Sequence, residues 1–350
     1  MGRAQTGTGA RPPRATIIDV AREAGVSPAT VSRVLTGSKP VSAGPEQRVR
    51  AAVARLGYRP NPAAQGLLRG TTSAVGVVVP DLSNPYFAEV LKGVTNAAQH
   101  ADFRTLVADT GEKAGTERDA ALELSRWADG VVLCSPRMSQ WELSELAAAV
   151  PRLVCVNRLS RDTPIPAVAV DFGAGVASIC RHLGELGHRR VAYLRGPGRA
   201  WSERARQQAL RAAGGADLEI VQIPCGSSSV DGHRAADAAL ATRATAVMAF
   251  SDYVALGALA RFDELGVSVP DEISLTGFDD IALSCLVSPR LTTVTVNKQD
   301  LGRRAWELFS ATEDDGATGP VVTVTPELVI RGSTAVPAGA DPLPRTAVDG

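Results

Sequence analysis

The sequence predicts two parts of different class: an all-α helix-turn-helix headpiece, then an α/β core of two doubly wound lobes. Three observations carry this. Residues 16–35, TIIDVAREAGVSPATVSRVL, read as two short helices around a tight corner. From Ala74 onward, strand-sized apolar runs alternate with helix-length segments. Charge is partitioned too: residues 1–72 hold 11 Lys+Arg against 3 Asp+Glu, net +8, and the rest holds 26 against 34, net −8. A basic end on an acidic body is the footprint of a polyanion-binding module.

Thr16 is placed to cap the first helix, and Asp19 three residues on completes a capping box and sets a carboxylate at the positive helix end. Val20, Ala21 and Ala24 share the inward face, Gly25 makes the corner, and Val26 folds back into the small core. Ser27 caps the second helix and Pro28 opens it, where a missing N–H costs nothing. Val31, Val34 and Leu35 point inward, leaving Pro28, Ala29, Ser32 and Arg33 outward. A small, polar, basic face beyond a short turn suits a helix that enters the DNA major groove. Val49, Ala52, Val53 and Leu56 recur at helical spacing in a third helix, which Gly57 ends. In the following YRPNPAAQGLLRG, Asn61 can cap and Pro62 open a short helix that ends in Leu67 and Leu68. Gly66 and its shortness make it marginal alone, so it forms only against a partner surface. Residues 1–15, rich in Gly, Arg and Pro, read as a disordered basic arm and not as a signal peptide.

In the core, ten strand-like runs are expected at 74–79, 105–108, 130–134, 153–156, 168–170, 190–194, 219–223, 246–250, 273–278 and 292–294. Helix-length segments such as 86–101, 174–186, 202–213 and 253–265 lie between them. That repetition predicts parallel sheets covered by helices, and ten strands exceed one small sheet. Two lobes with a ligand cleft at the strand carboxyl ends satisfy the count. Enzyme chemistry finds no foothold. No G-x-G-x-x-G follows a strand, no G-x-S-x-G elbow occurs, and His182 and His188 do not share a helical face. The five cysteines are scattered without a C-x-x-C pair, which points to a reducing cytoplasm and against a zinc site. No cofactor, metal or catalytic residue is therefore expected. The longest apolar runs are strand-sized, so no membrane span is expected. The tail, 335–350, rich in Pro and Gly, reads as disordered, and it lacks leucine heptads, so no tetramer built through a C-terminal coiled coil is expected beyond the dimer.

Taken in order, DVAREAGVSPATVSRVLTG, LGYRPNPAAQGL, VVPDLSNPYFAEV, LGHRRVAYLRGP, FDELGVSVPDEISLTGFDD, PRLTTV and ELVIRGST resemble the LacI/GalR (lactose repressor / galactose repressor) family of bacterial transcription regulators, over residues 16–334. The resemblance implies a helix-turn-helix DNA-binding domain at 16–60, a hinge helix and linker at 61–72, and a periplasmic-binding-protein-like effector core at 73–334. It also implies a chain that crosses between the lobes three times, with lobe one at about 73–168 plus 297–325 and lobe two at about 169–296 plus 326–333. Pro28, Ala29 and Arg33 then take base-reading positions, Arg33 as a bidentate partner for guanine. Thr16, Ser27, Thr30, Ser32 and Thr36 fall to phosphates, helped by the helix amino ends. Asn61, Ala64 and Leu67 of the connector join the DNA-binding set, with Leu67 as a minor-groove wedge. Family positions at the cleft map onto Asp81, Asn84, Tyr86, Phe87, Asn157, Arg158, Arg204, Asp252 and Asp279. Arg204 and Asp279 would offer charged donors and acceptors and Phe87 an apolar cover, which suits a polyhydroxylated effector, a sugar or a nucleoside. The implied protein is a repressor: a homodimer on a pseudo-palindromic double-stranded operator, whose affinity the effector sets by shifting the spacing of the hinges.

Overall fold

The structure, a computed structural model, describes residues 15–36, 39–58, 71–214, 218–311 and 319–338. The expected hinge helix with Asn61, Ala64 and Leu67, residues 1–14 of the basic arm and residues 339–350 of the tail lie outside the described residues. The chain divides into two compact units, Met1–Thr72 and Ser73–Gly350.

The first unit holds α1 (Ile17–Ala24), α2 (Pro28–Thr36) and α3 (Ala43–Leu56). The Thr16 hydroxyl accepts from the Asp19 amide at 3.3 Å, and the Asp19 carboxylate accepts from the Thr16 amide at 2.9 Å. These bonds hold the Asp19 carboxyl below its ordinary range. Gly25 ends α1 at φ +63°, a left-handed backbone that only glycine adopts without strain. The Ser27 hydroxyl accepts from the Thr30 amide at 3.2 Å and starts α2. Val20, Ala21, Ala24, Val31, Val34, Val49 and Ala52 form the core. It is small, so caps of about 1 kcal/mol each matter to this unit.

The second unit opens with β1 (Ala74–Val79), α4 (Pro85–His100), β2 (Arg104–Asp109), α5 (Ala114–Ser125), β3 (Val131–Cys134), α6 (Gln140–Ala149), β4 (Leu153–Val156) and β5 (Ala167–Val170). It continues through α7 (Phe172–Glu185), β6 (Arg190–Arg195), α8 (Trp201–Ala213), β7 (Glu219–Pro224), α9 (Ser229–Ala241), β8 (Ala246–Ala249), α10 (Asp252–Glu264) and β9 (Ser274–Thr276). It closes with β10 (Thr293–Thr295), α11 (Lys298–Ala311), β11 (Val321–Val324) and β12 (Glu327–Val329). One sheet has the order β11-β5-β4-β3-β1-β2 and a second β7-β6-β8-β9, with every pair parallel. The remaining two strands, β10 and β12, pair antiparallel. Every residue of β1, β3, β4, β5 and β8 is buried, because helices cover both faces of these sheets.

The chain leaves the first sheet after β5, returns with α11 and β11, and leaves again for β12. The return is fastened by close backbone contact. A Cβ on Gly93 of α4 would lie 2.1 Å from the Gln299 carbonyl oxygen, and one on Gly302 of α11 would lie 2.1 Å from that of Val90. Two expectations need correction and one is sharpened: the lobe boundary expected at about 168 falls near the end of β5, whose Val168 and Val170 pair with Val322 and Val324. The strands β11 and β12 were absent from the expected runs; both are short and largely surface-facing, so their apolar signal is weak. A disordered tail cannot begin at 335, since the Ala335 amide donates to the Ser274 hydroxyl at 3.0 Å. Among the described residues no helix is long and apolar enough to cross a membrane.

Candidate functional site

On the headpiece, Thr16, Ser27, Pro28, Ala29 and Arg33 are exposed, and Thr30, Ser32 and Thr36 are half-buried. The Ser27 and Thr30 hydroxyls lie 2.9 Å apart, and the Thr36 hydroxyl donates to the Ser32 carbonyl at 2.8 Å. Among the described residues nothing pairs with the Arg33 guanidinium, which stands in solvent with its donors open to a base edge.

In the core, a narrow cavity of about 30 Å³ lies where the carboxyl ends of the strands of both sheets face each other. From the first sheet's side, Asn84 caps α4 and so places Tyr86 and Phe87 in its first turn, their rings edge-to-face at 5.3 Å. The Asn157 side-chain amide donates to the Tyr86 hydroxyl at 2.6 Å while its carbonyl accepts from the Val170 amide at 3.1 Å. Burial raises the Tyr86 phenol far above its ordinary range, so the hydroxyl keeps its proton. Arg137, 5% exposed, enters on the β3–α6 loop and is ion-paired to Glu112. The Glu117 carboxylate fastens that loop by accepting from the amides of Arg137 and Met138, both at 2.8 Å. Burial pushes the Glu117 carboxyl up to about 7.

From the second sheet's side, α8 supplies Ser202 and Arg206. Arg206 is 2% exposed, with its guanidinium 4.3, 4.5 and 4.3 Å from the ring centres of Phe172, Phe250 and Phe278. Its Nε and Nη1 have no hydrogen-bond partner. Gly196 makes room for this stack, since a Cβ there would meet the Phe250 ring at 2.2 Å. Asp279 faces the same space, its carboxyl pushed up to about 8, foremost by burial, with nearby Arg206 opposing the rise and Asp252 adding to it. Lys298 donates to the carbonyls of Asp279 and Asp280, both at 2.7 Å. Ser135, Asn157 and Asp279 have φ of +46°, +56° and +113° and follow the ends of β3, β4 and β9. Each such conformation costs on the order of 1 kcal/mol, so strain collects where the strands meet the cavity.

Of the nine cleft residues expected, Asn84, Tyr86, Phe87, Asn157 and Asp279 line the cavity. The other four do not. Arg206, and not Arg204, lines the cavity: Arg204 is exposed and donates to the Arg199 carbonyl at 3.2 Å. Two positions along a helix is a turn of about 200°, which puts the two arginines on opposite faces of α8. Asp252 is a buried strut. It accepts from the Ile281 amide at 3.0 Å and from the hydroxyls of Ser284 and Thr293. Asp81 accepts from the amide and hydroxyl of its neighbour Ser83, at 2.8 and 2.7 Å. Arg158 is buried beside Asn157, outside the cavity lining. The signal for Arg206 was present: Ser202, Arg206 and Leu210 recur at intervals of four on the buried face of α8. Arg137, Glu112, Phe172 and Phe250 carry no such local signal.

A helix-turn-helix headpiece in one chain with a two-lobed α/β core and an internal polar cavity defines a ligand-responsive DNA-binding protein. Residues 16–61 match the model of bacterial regulatory proteins of the lacI family, and residues 180–334 that of the periplasmic binding protein-like domain. The HTH-type transcriptional regulator GalS of Salmonella typhimurium is 35% identical over 333 residues, which span 91% of this chain and 96% of GalS. The lac repressor dimer bound to operator and the anti-inducer ONPF superposes with a TM-score of 0.81 at 26% identity, covering 92% of this chain and all of that one (100%). The complex of the transcriptional regulator CelR with cellobiose gives a TM-score of 0.63 at 26% identity, covering 91% of this chain and 100% of that one. The chain belongs to the lacI family of bacterial regulatory proteins. It is a DNA-binding transcriptional regulator with an effector-binding core, and not an enzyme.

Proposed function

We propose that this regulator is a cytoplasmic repressor that binds a pseudo-palindromic operator as a homodimer and changes its operator affinity when a small carbohydrate occupies the cavity of the core. The observation that carries the reading is Arg206: a buried guanidinium on the wall of the cavity whose Nε and Nη1 lack a hydrogen-bond partner, with Asn157 and Asp279 on the same walls. Such a site has donors to spare, and sugar hydroxyls supply acceptors. The likeness to the CelR–cellobiose complex supports the ligand class, and the likeness to the lac repressor dimer on its operator supports the dimer. Asn84, Tyr86, Phe87, Asn157, Arg206 and Asp279 hold the effector. Arg33 reads a base edge, Pro28 and Ala29 make apolar contacts beside it, and Thr16, Ser27, Thr30, Ser32 and Thr36 meet phosphates. Residues 61–72 form the hinge, with Asn61, Ala64 and Leu67 at the minor groove. The effector acts by population shift, and its leverage is bounded by its differential affinity for the two lobe arrangements.

The test is a thermal-shift screen of the full chain against sugars and nucleosides, with each hit then titrated for its effect on binding of an operator duplex. A sugar that shifts the melting temperature and changes operator affinity is the expected result. A nucleoside hit would move the ligand class, and the absence of any preference for one duplex over a scrambled competitor would remove the reading altogether.

A further inference from the structure

Of the four lysines, Lys39, Lys92 and Lys113 are exposed, whereas Lys298 is buried, at 6% exposure. Its place does not serve its own helix. The Asn297 side chain already caps α11 by accepting from the Asp300 amide at 3.0 Å, and a cation in the first turn opposes the helix dipole. The ammonium turns instead to the segment that follows β9 of the second sheet, where it donates to the carbonyls of Asp279 and Asp280, both at 2.7 Å. These two residues lie in succession in the left-handed region, at φ +113° and +51°, a conformation that persists only where the surroundings hold it. Three side chains do so. Arg331 pairs with the Asp280 carboxylate at 2.5 Å and donates to the Leu291 carbonyl at 2.8 Å. Asp252 accepts from the Ile281 amide at 3.0 Å, and Lys298 takes the two carbonyls.

The three come from different sides. Asp252 starts α10 in the second lobe, and Arg331 follows β12, after the chain has left the first sheet for the last time. Lys298 starts α11, which packs on α4 beside the first sheet, where Gly93 and Gly302 let the backbones touch. Its bonds therefore run from one lobe to the other. The segment they reach carries Asp279, which lines the cavity. Bonds from a charged donor are strong and directional, and a buried ammonium without acceptors is expensive, so α11 and this segment must move together.

We propose that Lys298 is a positioning residue for regulation: its ammonium ties the cavity-wall segment at Asp279 and Asp280 to the start of α11 and so fixes the angle between the lobes. The tie stands on the bonds of Lys298, whether or not a sugar fills the cavity. Its consequence for DNA rests on the reading that the lobe arrangement sets operator affinity.

The experiment measures the lobe angle directly. Spin labels are placed at the exposed Glu145→Cys on α6 and Ala238→Cys on α9. The full chain also carries Cys225→Ser and Cys285→Ser, which remove the two cysteines that are not buried, and it is diluted with unlabelled chain. Double electron–electron resonance then reads the distance between the lobes. One narrow distribution is expected with Lys298 in place. Lys298→Met, which keeps the stem and removes both bonds, should widen it or add a second population, while Lys298→Arg, able to donate to both carbonyls, should keep it narrow. An unchanged distribution in Lys298→Met overturns the proposal. So does a widening by Lys298→Arg as large as that by Lys298→Met, since packing and not bonding would then set the angle. Melting temperatures identify a variant that fails to fold, and Lys298→Gln then replaces the methionine variant. The same chains are titrated, without ligand, against a duplex selected by the unaltered chain from a random pool. Where the lobe distribution widens, operator affinity should change about fivefold or more. Widened lobes with unchanged operator affinity leave the tie standing and remove the reading that lobe arrangement controls DNA binding.

Discussion

The headpiece and the core handle an arginine in opposite ways. Arg33 stands in water on α2, with no partner among the described residues and no penalty, because solvent satisfies its donors. Arg206 is held inside the core between Phe172, Phe250 and Phe278 with two donors open, and there an unsatisfied charge is expensive. The exposed arginine costs its own fold nothing. The buried one keeps the core less stable than a hydrophobic cavity would be, a difference that an acceptor bound there would return. The contrast teaches where allosteric leverage can originate: in the region whose unbound state is strained.

The largest effect expected from breaking this contrast falls on the strut behind the cavity. Asp252→Ala strands the Ile281 amide and two hydroxyls, so chemical denaturation of the core should lose about 3 kcal/mol or more. Arg206→Met keeps the volume and removes the buried charge. Ligand-free melting should stay level or rise, while the effector response falls by about 2 kcal/mol or more in a titration. A drop in ligand-free stability would mean that the aromatic stack alone compensates the charge. On the headpiece, Arg33→Ala should reduce discrimination between operator and random duplex by about 1–3 kcal/mol with unchanged melting. Unaltered discrimination would take Arg33 out of the reading role.

Acidity sharpens the comparison. The Asp279 carboxyl stands at about 8 in the fold against an ordinary 3.8, so the stability it contributes is complete below pH 3.8 and lost as pH rises through about 8. Glu117, raised from 4.5 to about 7, acts in the same direction. The core's melting temperature should therefore decline from weakly acidic to weakly alkaline pH, and Asp279→Asn should flatten the upper part of that decline. Asp19 in the headpiece carries the opposite sign: its carboxyl is lowered by the cap, and its contribution is lost on acidification. The smallest change is Thr16→Ala, which removes the α1 cap and should cost the headpiece about 1 kcal/mol with no effect on ligand binding.

The helical headpiece was legible in the sequence because its determinants are local. Thr16 with Asp19, Gly25, Ser27 with Pro28, and the Val31/Val34 spacing each act within one turn of a helix. The alternation of strands and helices was legible for the same reason, down to runs as short as the four residues of β3, β4 and β8. What lies beyond reach of a linear reading is pairing across long separations. Only the fold brings α11 back against α4, where Gly93 and Gly302 let the backbones touch, and only it pairs Val322 with Val168. The cavity follows the same division. Asn84, Tyr86, Phe87 and Asn157, at strand ends and helix starts, were reached through the resemblance to the LacI/GalR family and not through periodicity. The choice of Arg206 over Arg204 depends on which face of α8 is turned inward, and that is settled by three phenylalanines from distant segments closing around one guanidinium. Composition and spacing determine which elements form, since those forces act over a few residues; which charges end up buried and unpaired is decided by long-range packing, and only the assembled fold contains it.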